Sequence, residues 1–341
     1  MELEDDILSL SYEDLVTYTD DFSESNYLGH FQFGEFYRGK IVSDEMTRYV
    51  MVKIWEFPEI YNYRPGDNEG RLMDEVTLLR HEMAINRPGL ARLYGYCLEI
   101  DHLGVVYDFK PLDSVYNLVL KDDFTWLQRI KVILVFAYLL KFLHTRMCSH
   151  YKSFIVRNVD CAHLVLDEDY NPKLCDFGLI TGGIFPDRTI YKCHHVLGSY
   201  GYIDLGGWYA DDSSDKKDVF AFGTILLSLI SKRVYTEEVR QVNGPYVSDW
   251  AWSSYTKHAY LKESKNTMFS LVNQSLAAET DYNFGDGPKI TRLALKCINT
   301  NLAQRPTMKQ VLRCLLKLKV VKKNADFLGV NKLMHRSCEN M

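Results

Sequence analysis

The stretch IVRNVDCAHLVLDEDYNPKLCDFG, Ile155 to Gly178, decides how the rest of the chain is read. It divides into a polar loop carrying Arg157, Asn158, Asp160 and His163, a short turn, a strand, and a closing Asp176-Phe177-Gly178 triplet. The chain around it has 341 residues, enough for one large domain or for two lobes about a cleft. Apolar residues make up 47% and charged residues 25%, the balance of an ordinary globular protein. A net charge of -5 argues against generic nucleic-acid binding, which needs a basic face. The eight cysteines include no C-x-x-C pair and read as reduced cytosolic thiols, not as a disulfide frame or a zinc site. No run approaches the roughly 18 uninterrupted apolar residues of a membrane span. The acidic start is no signal peptide, and Glu2 excludes N-myristoylation. The expectation is a cytoplasmic protein without a membrane anchor.

Working outward, residues 10–39 read LSYEDLVTYTDDFSESNYLGHFQFGEFYRG. Gly29 and Gly34 bracket a loop of the kind whose glycines let backbone lie close to phosphates. Tyr49 to Lys53 alternates as a strand. Residues 57–70, with Pro58, Pro65, Gly66 and Gly70, read as a loop. Leu72, Val76, Leu79 and Met83 then recur at helical spacing, with Glu75 on the same helix. Thr125 caps a long helix over Trp126–His144. Further on come LGSYGYID (197–204), KDVFAFG (217–223) and QRPTM (304–308). The tail beyond Lys317 holds Lys319, Lys322, Lys323, Lys332 and Arg336. It reads as a solvated basic end, with a docking segment for an acidic partner as the sharper alternative.

Taken together, residues 10–318 resemble the plant receptor-like and receptor-like cytoplasmic serine/threonine protein kinases. The family writes the central loop H-R-D-x-K-x-x-N, followed by D-F-G. The resemblance implies an α+β, bilobal protein-kinase-like fold. Its N-lobe would be a small antiparallel sheet with one main helix, and its C-lobe larger and mainly helical. The implied boundaries are a lead segment over 1–24, the kinase-like domain over 25–318 (N-lobe about 25–109, C-lobe about 110–318), and the basic tail over 319–341. It also implies a nucleotide site built from Gly29, Gly34, Phe36, Met51, Lys53, Glu75, Tyr107, Asp108 and Phe109. Asp176, and His163 at the metal-binding Asn position, would face magnesium, and Arg157, Asn158 and Asp160 would hold the catalytic positions.

The frame survives and much of its chemistry does not. The middle loop glycine is Phe31, and Phe36 and Met51 replace small residues above the adenine. Asn158 stands where the catalytic Asp belongs, and an amide cannot take the proton, a function typically worth about 10²–10⁴ in rate. Asp160 replaces the phosphate-steadying Lys. At a separation of ~5 Å and an effective dielectric of ~20, that turns an attraction of about 3 kcal/mol into a similar repulsion. His163 offers nitrogen to a metal that prefers oxygen. The retained Lys53–Glu75 pair is compatible with nucleotide binding and equally with a structural bridge. The Pro-Glu that usually follows residue 204 is Leu205-Gly206, so Arg305 loses the family's usual glutamate partner. The expectation is a pseudokinase acting as a scaffold or adaptor beside an active kinase or receptor complex, with immunity as one setting. Alternatives are a residual ATP–magnesium serine/threonine kinase, or a nucleotide-binding switch without turnover. Thr181, Thr189, Tyr191, Ser199 and Tyr200 are the candidate phosphoacceptors.

Overall fold

The structure is a computed structural model, and it describes residues 7–31, 33–44, 46–55, 66–146, 152–185, 201–204, 214–235, 246–260 and 269–338. The chain divides into two compact units, one formed by residues 1–115 and 162–180, the other by 116–161 and 181–341.

The first unit is built on a six-stranded sheet. Its strands are β1 (Leu8–Leu10), β2 (Tyr27–Phe31), β3 (Gly34–Val42), β4 (Thr47–Trp55), β5 (Leu93–Glu99) and β6 (His102–Tyr107), in the spatial order β1-β5-β6-β4-β3-β2. Pairing is antiparallel except at the edge, where β1 runs parallel to β5. Helix α1 (Tyr12–Thr19) starts on a capping box between Ser11 and Asp14 and packs on the sheet. The segment expected as a lead into the domain thus supplies an edge strand and a covering helix. Leu10 and Leu15 join Val50, Val52, Cys97 and Val106 in one buried cluster. A Cβ at Gly104 would come 2.4 Å from the end of the Leu15 side chain, which would have to shift.

Because strand side chains alternate between faces, Val50 and Val52 serve this cluster while Met51, Lys53 and Trp55 share the opposite face of β4. Helix α2 (Asp67–Arg80) buries Leu72, Glu75, Val76 and Leu79. It begins at Asp67, inside the stretch expected as loop, because the left-handed Gly66 lets the chain turn directly into it. It ends at Arg80, before Met83, where His81 takes up an extended conformation. A three-stranded sheet completes the unit: β7 (Pro111–Ser114), β8 (Leu164–Asp167) and β9 (Pro172–Leu174).

The second unit is helical. After the short α3 (Val115–Leu118) at its border, α4 (Trp126–Leu143) starts on the Thr125–Gln128 capping box and is buried along nearly its whole length. It packs on α5 (Lys216–Ser231) and on α9 (Met308–Leu315). Helices α6 (Val247–Tyr260), α7 (Gln274–Ala277) and α8 (Gly287–Cys297) complete the body. The chain beyond residue 318, expected as a basic tail, continues as α10 (Lys319–Lys323) and α11 (Val330–Cys338). Val320, Val321, Leu328 and Leu333 are buried there, while Lys319, Lys322, Lys323 and Lys332 are exposed.

Two buried polar anchors fix this unit's backbone. Asp218 accepts from the amides of Val156 and Arg157, both at 2.8 Å, and lies 2.9 Å from His144 Nε2. Arg305 pairs with Asp204 and donates to the carbonyls of Asn299 (2.6 Å) and Lys216 (3.0 Å). The carboxylate left open for Arg305 in the sequence therefore comes from Asp204, immediately before Leu205. Leu205 and Gly206 themselves lie outside the described residues.

Asp218→Asn turns an NH₂ donor toward one of two backbone donors. The expected loss is about 3 kcal/mol, because hydrogen bonds to a charged acceptor are worth about 1.5–3 kcal/mol each. Urea unfolding measures it, and a loss below about 1 kcal/mol would show that the carboxylate does not hold the loop.

Candidate functional site

In the first unit the site is organised by Lys53. Its ammonium donates to Glu75 Oε2 at 2.6 Å and to Asp176 Oδ1 at 2.9 Å, and all three side chains are fully buried. Strand β4 presents the lysine, α2 the glutamate, and the segment after β9 the aspartate. The Tyr107 hydroxyl, at the end of β6, hydrogen-bonds Glu75 and lies 3.0 Å from the Cys175 carbonyl. Asp176 Oδ1 also accepts from the Gly178 amide at 3.2 Å, and His163 Nδ1 lies 3.8 Å from Asp176 Oδ2.

Burial opposes charge on every one of these groups, and the partners decide the outcome. Burial pulls the Lys53 ammonium down, but Asp176 and Glu75 outweigh it and leave it above its ordinary value. Burial pushes the Asp176 carboxyl up, yet Lys53 and then His163 hold it below the usual range. For Glu75 burial prevails over Lys53, with Asp176 adding to it, and the carboxyl is raised. Burial, followed by Glu75, lifts the Tyr107 phenol well above its normal value.

Aromatic rings close over this network. The Lys53 ammonium lies 4.5 Å from the Phe31 ring centre and 4.3 Å from that of Trp55. Desolvated cation–π contacts of this kind are worth about 2 kcal/mol or more. Phe31 packs against Phe36 with centroids 4.9 Å apart, and both rings lie 6.3 Å from His163. Phe33 is buried too, with the Arg71 guanidinium 4.2 Å from its centre. The strand register brings the rings in, since Gly34 pairs with both Phe31 and Trp55. A Cβ at Gly34 would fall 1.9 Å from the Ile54 carbonyl oxygen, so sheet packing by itself demands glycine at this position.

The remaining sequence-derived residues are placed as follows. Gly29 lies in β2 at φ 144, and Met51 is fully buried opposite Tyr107 in the neighbouring strand. Asp108 and Phe109 are half-buried after β6, with Asp108 3.9 Å from Arg48. In the second unit Arg157 has a left-handed backbone (φ 68) and donates to the Thr181 hydroxyl at 3.2 Å. Asn158 and Asp160 are both buried. Thr181, one of the candidate phosphoacceptors, is buried in a two-way backbone bridge with Ile155, a poor position for modification. Thr189, Tyr191, Ser199 and Tyr200 lie outside the described residues.

The groups that would meet a nucleotide and its magnesium are engaged with one another in this arrangement. The lysine that would meet phosphate is sealed by two carboxylates and two rings, and the aspartate that would meet metal is buried against Lys53 and His163. Trp55 is the residue that motif reading passed over. The available signal was its position two residues after Lys53 on an alternating strand, which puts it on the same face.

A family model for protein tyrosine and serine/threonine kinases matches residues 22–315. The probable serine/threonine-protein kinase PBL16 of Arabidopsis thaliana is 28% identical over 326 residues, covering 94% of this chain and 75% of that protein. Rice receptor-like cytoplasmic kinase 176 is 28% identical over 333 residues, covering 92% and 78%. A probable leucine-rich-repeat receptor-like kinase of Arabidopsis is 28% identical over 90% of this chain, which spans only 27% of its length. Among solved structures, the pseudokinase domain of BIR2, described as an immune regulator of the RLK/Pelle family, has a TM-score of 0.63 at 19% identity. That match covers 96% of this chain and 93% of the BIR2 chain, and it establishes likeness of fold alone.

Replacing Lys53 by Met leaves Glu75 and Asp176 as buried like charges. The expected cost is about 3–5 kcal/mol, the usual penalty for breaking a buried ion pair. Adding Asp176→Asn should recover part of it, and the single variant's deficit should shrink as the pH is lowered, because protonating one carboxyl removes the repulsion. Denaturant titrations of the two variants across pH check this, and a Lys53→Met protein as stable as the parent would remove the bridge from the account.

Proposed function

The chain belongs to the protein tyrosine and serine/threonine kinase family, and on that premise we propose that it is a pseudokinase, a kinase fold that has given up phosphoryl transfer and acts as a protein scaffold. The observation that carries this reading is the sealed Lys53 ammonium, with Glu75 and Asp176 on one side and the rings of Phe31 and Trp55 on the other. Phosphoryl transfer depends on positioning and on charge neutralisation by lysine and metal. Here the neutralising groups are spent on one another. Asn158 in place of the proton-accepting Asp, Asp160 in place of the phosphate Lys, and His163 in place of the metal-binding Asn support the same conclusion. The partner in this reading is an active kinase or a receptor complex of the receptor-like class, met in the cytoplasm, and immune signalling is one setting for it.

One observation favours a second reading. The Lys53–Glu75 pair, at 2.6 Å, keeps α2 in a position compatible with nucleotide, so a switch that binds ATP without turnover competes with the plain scaffold.

Thermal-shift titration with ATP, in the presence of magnesium, of manganese and of neither, separates the two. A ligand present at about 100 times its Kd adds about 2.7 kcal/mol to the stability of the folded state. The expected result is no shift at millimolar ATP under any of the three conditions, with a known nucleotide-binding kinase as control. A clear shift would overturn the nucleotide-free reading, and a phosphotransfer assay on the parent and on Lys53→Ala would then distinguish a switch from a residual kinase.

A further inference from the structure

Between Gly287 and Ala325 the chain carries ten Lys and Arg and no Asp or Glu, within a protein whose net charge is -5. Arg305 is buried on Asp204, and the other nine are exposed. On α8, Lys289, Arg292 and Lys296 recur at helical spacing, and Lys309, Arg313 and Lys317 do so along α9 and just past its end. Helix α10 adds Lys319, Lys322 and Lys323. Lys289 reaches Asp286 at 3.5 Å and Lys323 reaches Asp281 at 3.3 Å. The other seven meet no acidic side chain among the described residues.

Two exposed rings flank α10. The 281–286 loop is tied to this helix by the Val320 amide, which donates to Asp286 Oδ2 at 2.9 Å, and by the Lys323–Asp281 pair. That loop carries Phe284, 78% exposed. Past the end of the helix comes Phe327, 51% exposed, with Lys131 of α4 5.4 Å from its ring centre. Asp326, the exposed carboxylate between helix and ring, accepts a hydrogen bond from Asn331 at 3.5 Å.

Seven of the nine cations are lysines. A pocket built to grip one phosphate uses the planar arginine fork, whereas flexible point charges suit a partner whose own charge is spread out. Phenylalanine has no polar tip, so two exposed rings beside the cations suit an apolar layer lying just beneath that charge. We propose that α10 and the adjoining surface of α8 and α9 bind the face of an anionic phospholipid bilayer, with the lysines against the headgroups and Phe284 and Phe327 entering the interface. This does not depend on the state of the nucleotide site.

The test is co-sedimentation of the full chain with vesicles of phosphatidylcholine alone and with about 30% phosphatidylserine, across a salt series around 0.1 M. Binding is expected only to the anionic vesicles and should weaken as salt rises. Combined Lys317→Glu, Lys319→Glu and Lys322→Glu should lower the partition coefficient by about tenfold or more, since each cation near such a surface contributes appreciably. All three side chains are exposed, so an unchanged melting temperature verifies the fold. A Phe327→Trp reporter should shift its emission to the blue with anionic vesicles and not with heparin. Equal association with neutral vesicles, no association with anionic ones, or an unweakened charge variant would overturn the proposal. Retention on a single-stranded oligonucleotide without a blue shift on vesicles would also overturn it, assigning the face to nucleic acid.

Discussion

An ammonium group withdrawn from water must be neutralised where it lies, and Lys53 sets this condition on the first unit. Its side chain is fully buried, so Glu75 from α2 and Asp176 from beyond β9 are held against it, and the neighbouring backbone must deliver them. The two carboxylates do not titrate alike. Asp176, supported by Lys53, His163 and the Gly178 amide, is held in its charged form. Glu75, where burial and Asp176 prevail, is pushed toward its neutral form, with Tyr107 beside it. The arrangement is a shared-charge bridge more than a pair of independent salt bridges.

The same constraint explains the aromatic substitutions. Glycine at the middle of a phosphate loop lets backbone lie close to phosphate, whereas Phe31 sets a ring over the Lys53 ammonium. Trp55 does so from the end of β4, and Phe36 fills in behind. Phe31 and Trp55 bury apolar area and place a negative π-face toward the charge. Bulk that reads as obstruction in one dimension is, in three, a closed core around a cation.

The second unit keeps the family's framework by separate means. Asp218 organises the loop at 156–157 and Arg305 ties Asp204 to the 216 and 299 backbone. Asp218 holds the start of the loop that carries Asn158 and Asp160, which accounts for a loop that keeps its place while its reactive residues change. The cysteines fit this structural economy. Cys97, Cys161, Cys175 and Cys297 are free and buried, and burial pushes the Cys161 thiol up to about 12, far from a reactive thiolate.

Motif order and side-chain type, both written along the chain, were enough to reach the fold and the Lys53–Glu75 pairing, and they show the substitutions at 158, 160 and 163. Strand and helix periods and capping boxes are local properties that sequence expresses directly. The edge strand and helix at 8–19, the helices past 318 and the Asp204 partner of Arg305 were not legible in the same way. Each depends on which distant surface needs covering or which distant charge needs pairing. Phe31 was visible as a missing glycine, but its ring over Lys53, with Trp55 beside it, required the register of β2, β3 and β4. Sequence by itself determined which groups this protein has for chemistry. Tertiary structure decided that they face one another, because a buried charge takes whatever partners the packing brings within reach.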